Sequence, residues 1–303
     1  MPQSHHQPQK RAGKNVLMRA LEKIPLEIFC LFWLIFATVY SAHAAEKTQE
    51  KWVVYYGDAL PAEQFLPYDL IVFDSTSFPP LRPLQNRDKM ILGYLSLGEA
   101  EDYREDFQSI KEKGLLLHEN KNWPGHFMVD VRNPLWGKYL IEEKIPQILF
   151  KRFNGIMFDT TDSVLDLEIK DPKKYAGMKK AVLDLLAAVR MHYPEIKIMI
   201  NRGFDAFPEA APYVDYIMAE STLVDDYTDP KNPRFFSESD YQWSKEIIDA
   251  ARKANPQLKV YSVDYWNPKD MAKIKEIYGK QRASGYIPYV ATIDLQSVVE
   301  EPR

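Results

Sequence analysis

Short apolar runs that stop abruptly on acids or hydroxyls recur along the chain. Gly155-Ile156-Met157-Phe158-Asp159-Thr160-Thr161-Asp162 is the clearest of them. Positions 155–158 show no alternation of polar and apolar residues, the pattern of a strand buried on both faces. Nine segments read as strands: 52–56, 70–73, 90–97, 126–131, 155–158, 197–200, 216–219, 259–263 and 288–293. Most are rich in Val, Ile, Tyr and Phe and lack a helical period. Helical patterns lie between many of them. They cover 103–113, 135–150 (with Pro146 placed to kink or divide it), 171–193 ending before Pro194, 239–254, and 268–284 closed by Gly285. This alternation predicts an α/β fold with a parallel sheet, and its length favours a closed (β/α)8 TIM-type barrel over an open one. Nine segments for eight places leave one in excess. The end segments, 52–56 and 288–293, are the candidates for it.

The first 44 residues stand apart from that pattern. Lys10, Arg11, Lys14, Arg19 and Lys23 form a basic region, 28–40 is apolar, and Ala42-His43-Ala44 is an A-x-A cleavage pattern. A secretory signal cleaved after Ala44 is expected, leaving one domain over 45–303. The apolar stretch is short for a span of about 20 residues. The long basic region keeps an uncleaved anchor as the competing reading, and membrane contact is expected only in that case. Either reading places the protein outside the cytoplasm, in the periplasm or beyond. Cys30, the single cysteine, lies in the apolar stretch, so the mature chain would hold no disulfide and do no thiol chemistry. Cleavage would reduce 39 basic and 43 acidic residues to 34 and 41, a net charge of −7. That balance disfavours nucleic acid and suits a cationic partner. Neither G-x-G-x-x-G after the first strand nor G-x-x-x-x-G-K-[ST] is present, so nucleotide binding has no support.

In a barrel the C-terminal strand ends share one face. Here those ends read Gly57-Asp58, Asp74-Ser75, Gly98-Glu99, Asp130, Asp159-Thr160-Thr161-Asp162, Asn201-Arg202-Gly203, Glu220-Ser221, Asp264-Tyr265-Trp266 and Asp294. The predicted mouth is therefore crowded with carboxylates. His118 and His126 have no partner acid at zinc-ligand spacing, so no metal is expected. Ser96, Ser221 and Ser262 lack a G-x-S-x-G elbow and a placed histidine, which disfavours a serine triad. A set of acids without histidine suits glycoside hydrolysis, where one carboxyl protonates the leaving oxygen and another attacks carbon or activates water. No cofactor is needed for that chemistry. Tyr55, Tyr56, Tyr94, Tyr265 and Trp266, at or near strand ends, offer flat faces for sugar rings. Plainer roles compete: Asp58 fits a turn cap, Asp130 fits a loop brace, and Trp123, Trp136 and Trp243 read as structural.

Several motifs carry a family resemblance. Tyr94-Leu95-Ser96-Leu97-Gly98-Glu99, Gly155-Ile156-Met157-Phe158-Asp159-Thr160, Ile200-Asn201-Arg202-Gly203 and Met218-Ala219-Glu220-Ser221 resemble the endo-α-1,4-polygalactosaminidase family, glycoside hydrolase family 114. The Asp264-Tyr265 strand end fits the same pattern, and the resemblance runs over 52–295. It implies a barrel hydrolase that cuts α-1,4-linked galactosamine polymers, which are cationic where deacetylated. The family's catalytic aspartate falls on Asp159 and its glutamate on Glu220. Asp159 is then expected as nucleophile or ionised stabiliser and Glu220 as general acid/base, with neither followed at once by a helix cap. Tyr94, Glu99, Asn201, Arg202 and Asp264 are expected around them. Tyr56, Asp58, Asp74 and Tyr265 complete the expected substrate-binding set, with Arg202 flanking one of the two acids. The alternatives are a non-catalytic carbohydrate-binding barrel linked to exopolysaccharide handling, and a hydrolase using the carboxylates on Mg²⁺ or Ca²⁺.

Overall fold

A computed structural model describes residues 49–302, so the expected export signal and its cleavage site lie outside the described residues. In chain order the strands are β1 (Trp52–Tyr55), β2 (Leu70–Asp74), β3 (Met90–Ser96), β4 (Glu99–Glu101), β5 (Leu116–Glu119), β6 (His126–Val129), β7 (Gly155–Asp159), β8 (Lys197–Asn201), β9 (Tyr216–Glu220), β10 (Val224–Asp225), β11 (Arg234–Phe235), β12 (Lys259–Tyr265) and β13 (Ile287–Ala291). The helices are α1 (Arg82–Gln85), α2 (Phe107–Glu112), α3 (Pro134–Tyr139), α4 (Ile145–Phe150), α5 (Thr161–Lys170), α6 (Met178–His192), α7 (Phe207–Ala210), α8 (Glu238–Ala254) and α9 (Met271–Ala283).

Eight strands form one parallel sheet in the order β1-β2-β3-β7-β8-β9-β12-β13, nearly closed into a barrel with helices between its strands. The expected α/β barrel is therefore observed. Its seam lies between β1 and β13, where no ladder joins the two among the described residues. Rings close the gap instead. Trp52 of β1 packs edge-on against Tyr289 of β13 at 6.1 Å and Tyr261 of β12 at 5.4 Å. Beyond the strands, the Tyr56 N–H donates to the Leu295 carbonyl at 2.9 Å.

Both end segments are thus barrel strands, against the sequence expectation. The excess segment is 126–131, which supplies β6, the middle of a three-stranded antiparallel sheet ordered β4-β6-β5. A short apolar run reads alike in a barrel and in a small side sheet, because periodicity does not report the partner. Asp130 leaves the mouth with it and is gripped by the Arg132 guanidinium through two contacts of 2.8 Å.

Two helical expectations also change. The pattern over 171–193 becomes a helix only from Met178, and the unforeseen α5 begins two residues after Asp159. Its buried Val164, Leu165 and Leu167 are interleaved with acids, which hides the period in so short a helix. Pro146 does not break the chain direction. A π-turn over Leu140–Lys144 precedes it, and Pro146 falls in the first turn of α4, where a missing N–H costs little. Gly155 is dictated by close approach, since a Cβ there would stand 1.9 Å from the Lys197 carbonyl oxygen on β8.

Candidate active site

Asp159, Asn201, Glu220 and Tyr265 end β7, β8, β9 and β12, which are neighbours in the sheet. The Asn201 amide nitrogen donates one hydrogen to Asp159 Oδ1 at 2.8 Å and the other to Glu220 Oε2 at 2.7 Å. Two such contacts to one NH2 group leave the acceptor oxygens about 5 Å apart. The Tyr265 hydroxyl donates to the other Glu220 oxygen at 2.5 Å, and the Thr160 N–H donates to Asp159 Oδ1 at 2.8 Å.

The backbone fixes this group. Each of Asp159, Asn201 and Glu220 is followed by a non-glycine residue in the left-handed region: Thr160 at φ 60°, Arg202 at φ 52° and Ser221 at φ 49°. Such conformations cost about 1–2 kcal/mol each and persist where the surroundings enforce them. Around Thr160 the enforcement is visible. Its hydroxyl meets Ser96 Oγ at 2.8 Å and accepts from the Gly98 N–H at 2.9 Å. Gly98 is needed there, because a Cβ would lie 2.4 Å from the Thr160 carbonyl oxygen. The chain thus turns sharply away from the mouth after each functional side chain.

Burial, together with the charge of Glu220, raises the Asp159 pKa to about 7, against the opposing hydrogen bonds from Asn201 and Thr160. At about 5 Å two carboxylates repel by roughly 3 kcal/mol at an effective dielectric constant near 20. The pair therefore gives up its last proton only around pH 7. Burial also pushes the Tyr56 and Tyr265 phenols well up, followed by the charges of Asp159 and Glu220 at Tyr56 and by that of Glu220 at Tyr265, so both remain hydrogen-bond donors.

The remaining expected residues divide. Arg202 grips Asp162 through Nε at 2.6 Å and reaches the Tyr227 hydroxyl at 2.6 Å, rather than bonding either central acid. Tyr56 packs edge-on against Tyr94 at 5.3 Å, and the Tyr94 hydroxyl donates to Glu101 at 2.6 Å. Asp74 is forked by Arg104 at 2.8 and 3.1 Å; burial pushes its pKa up, but the guanidinium holds it below the usual carboxylate range. The same Arg104 pairs through Nε with Glu101. Glu99 is buried, accepting from Ser163 at 2.6 Å and Asn120 at 2.9 Å and contacting His126 Nδ1 at 3.2 Å.

Asp264 is a correction. Its side chain points away from the cleft, fully buried, and accepts the Leu223 and Val224 N–H groups at 3.1 and 3.0 Å and the Gln281 amide at 2.5 Å. It braces the loop after β9. Strand alternation explains this, since Tyr265 beside it faces inward. Asp58 is exposed on the bend after β1, and Asp294 braces its own turn through Thr292 Oγ1 and the Gln296 N–H. Of the tryptophans read as structural, Trp136 is buried, whereas Trp123 and Trp243 are 56% and 53% exposed.

Sequence reasoning missed Arg104, Glu101, Tyr227 and Asp226. The first two stand three apart, which hinted at a local pair, but Asp74 joins them from 30 residues away. Asp226 is 2% exposed and its Oδ1 has no hydrogen-bond partner. The finding that α5 follows Asp159 almost at once also overturns the expectation that no helix start lies there.

Comparison with known proteins follows the same outline. The chain is 26% identical over 244 residues to an uncharacterized protein of Deinococcus radiodurans, covering 77% of this chain and 76% of that one. The glycoside hydrolase domain of PelA from Pseudomonas aeruginosa superposes with a TM-score of 0.72 at 22% identity, covering 83% of this chain and 98% of that one. Aspergillus fumigatus Ega3, solved in complex with galactosamine, gives 0.61 at 16% identity over 84% and 95%. These likenesses establish the barrel. The profile of glycoside-hydrolase family GH114 matches residues 36–303, which contain the whole barrel, and the chain belongs to that family.

Proposed function

We propose that this glycoside hydrolase cleaves galactosamine-containing polysaccharide with retention of anomeric configuration. Asp159 acts as nucleophile and Glu220 as general acid/base. The observation that carries the reading is the single Asn201 amide bridging both carboxyls, a short bridge that supports the separation of about 5–5.5 Å used by retaining enzymes. Glu220 donates its proton to the glycosidic oxygen as the bond to the anomeric carbon breaks, and an Asp159 oxygen bonds that carbon. Glu220, now ionised, takes a proton from water, whose oxygen displaces Asp159 and restores both groups. The Tyr265 hydroxyl and the Asn201 amide hold the Glu220 carboxyl in place, one on each oxygen.

The galactosamine assignment is supported by the family, by Ega3 having been solved with galactosamine, and by the acids around the mouth. Asp74, Glu99, Glu101, Asp162 and Asp226 outnumber Arg104, Arg202 and His126 there, which suits ammonium-bearing sugars. We further propose that 1–44 is an export signal and that the mature protein, 45–303, works in the periplasm or outside the cell.

The test is product release from partly deacetylated α-1,4-galactosaminogalactan, followed by mass spectrometry, with anomer-resolved NMR of early products. Wild type is expected to release oligosaccharides of unchanged anomeric configuration, and Glu220→Gln none. Inverted products would remove the retaining mechanism. Polymer binding without cleavage by either protein would support a carbohydrate-binding barrel instead.

A further inference from the structure

A line of aromatic rings and one guanidinium leads from the acid pair onto the side sheet. Tyr56 meets Tyr94 at 5.3 Å. The Arg104 guanidinium lies 5.4 Å from the Tyr94 ring and 5.3 Å from the Tyr103 ring. Tyr103 then packs edge-on against His126 at 6.0 Å, and Trp123 lies 6.3 Å from the same imidazole. The inner end is buried and the outer end is not: Tyr94 is 7% exposed, Tyr103 66% and Trp123 56%.

Exposed apolar side chains scattered singly need no account, but adjoining ones mark a contact surface. These two share a neighbour, and that neighbour is held firmly. His126 is anchored to Glu99, and Glu99 is tied to α5 through Ser163 and to the loop after β5 through Asn120. The platform therefore has a fixed position relative to α5, which starts beside Asp159.

We propose that Tyr103 and Trp123, with His126 between them, stack units of the same polysaccharide chain at a distance from the bond being cut. The inference rests on reading the mouth as a glycosidase site. Sugar rings present apolar C–H faces that pack on aromatic rings, and ammonium-bearing units add a cation–π attraction. Where rings adjoin, their centroids lie 5.3–6.3 Å apart, comparable to the length of one pyranose unit, and Arg104 fills the step from Tyr94 to Tyr103. Continuity with the cleft selects the occupant, because a chain threading past Tyr56 and Tyr94 meets Tyr103 and Trp123 next. Acids lie under and beside this track (Glu99, Glu101, and Asp102 beside Gly125), in keeping with a cationic polymer.

The experiment compares wild type, the double variant Tyr103→Ala/Trp123→Ala, and Phe150→Ala, whose 89%-exposed ring ends α4 just before β7 starts, at the far end of the barrel. For each, kcat/KM is measured on long polymer and on a trisaccharide of the same sugar. Polymer binding is titrated by isothermal calorimetry in the Glu220→Gln background. The ratio of polymer to trisaccharide efficiency is expected to fall about tenfold in the double variant, and to stay at the wild-type value in Phe150→Ala. An unchanged ratio in the double variant, or an equal fall in Phe150→Ala, overturns the track while leaving the hydrolase reading intact. So does a wild type that sediments as a dimer beside a double variant that sediments as a monomer, which would make the patch a contact between copies. Polymer binding that is lost in the double variant, without cleavage by wild type, upholds the track and removes the hydrolase reading. Absence of both cleavage and binding overturns both.

Discussion

Asn201 spends both of its amide hydrogens on the two acids, so its removal leaves two carboxyls facing each other with no neutral donor between them. Asn201→Ala is expected to lower kcat by about 10²–10³, the cost of losing a preorganised donor, while KM for a short substrate moves little. Steady-state kinetics on a trisaccharide checks the split. The pair's last proton gives a second consequence. The proposed mechanism needs one carboxyl protonated and one ionised, and burial with the Glu220 charge puts the Asp159 pKa at about 7. The kcat/KM profile should therefore fall on its alkaline side through about pH 7, approaching tenfold per pH unit beyond it. A third concerns stability. A carboxyl whose folded pKa is raised destabilises the fold at pH values above its unfolded pKa of about 3.9, so Asp159→Asn is expected to raise Tm at pH 8 and to do so less at pH 5. Calorimetry at the two values decides it. At this scale the sequence showed Asp159, Glu220, Asn201 and Tyr265, because each ends a readable apolar run. It could not show Arg104 on Asp74 or His126 on Glu99, since partners 30 and 27 residues apart leave no periodic trace.

The side sheet is the element that most changes the picture drawn from the pattern alone. Barrel strands buried on both faces announce themselves as unbroken apolar runs, whereas β4, β5 and β6 are short and only partly covered. Helix α5 escaped notice for a related reason, since its few buried positions are diluted by Asp162, Asp166 and Glu168. The clamp joining these two elements is titratable at both ends. The hydrogen bond that His126 donates to Glu99 holds the His126 pKa above its ordinary value, so that contribution is present below about pH 6.5 and lost as pH rises through the folded value. Burial works to raise the Glu99 pKa, but His126, Ser163 and Asn120 hold it below the ordinary value. That contribution is present above about pH 4.3 and lost as pH falls through the folded value. The clamp is therefore strongest between the two ordinary values. Amide exchange in 99–101 and 126–129 should be slowest near pH 5.5 after correction for intrinsic rates, with the minimum abolished in His126→Gln.

On the scale of the whole molecule, charge and shape act together. An open seam between β1 and β13 is closed by rings rather than a ladder, so the lower barrel depends on Trp52, which is 1% exposed. The acids, by contrast, gather at the other end, where strand ends bring them from all round the sheet. A net charge of −4, with these acids gathered toward the mouth, produces a field that reaches about one Debye length into solution, about 10 Å at 0.1 M salt. A deacetylated polymer would be drawn in by that field, and a fully acetylated one would not. Raising NaCl from 0.02 to 0.5 M, which shortens the Debye length to a few ångströms, is expected to lower kcat/KM on the deacetylated polymer by about tenfold or more. The same change should leave the acetylated polymer within about twofold, because stacking and burial are not screened. Equal salt sensitivity for the two polymers would mean that the acidic mouth serves the catalytic pair alone and plays no part in drawing substrate.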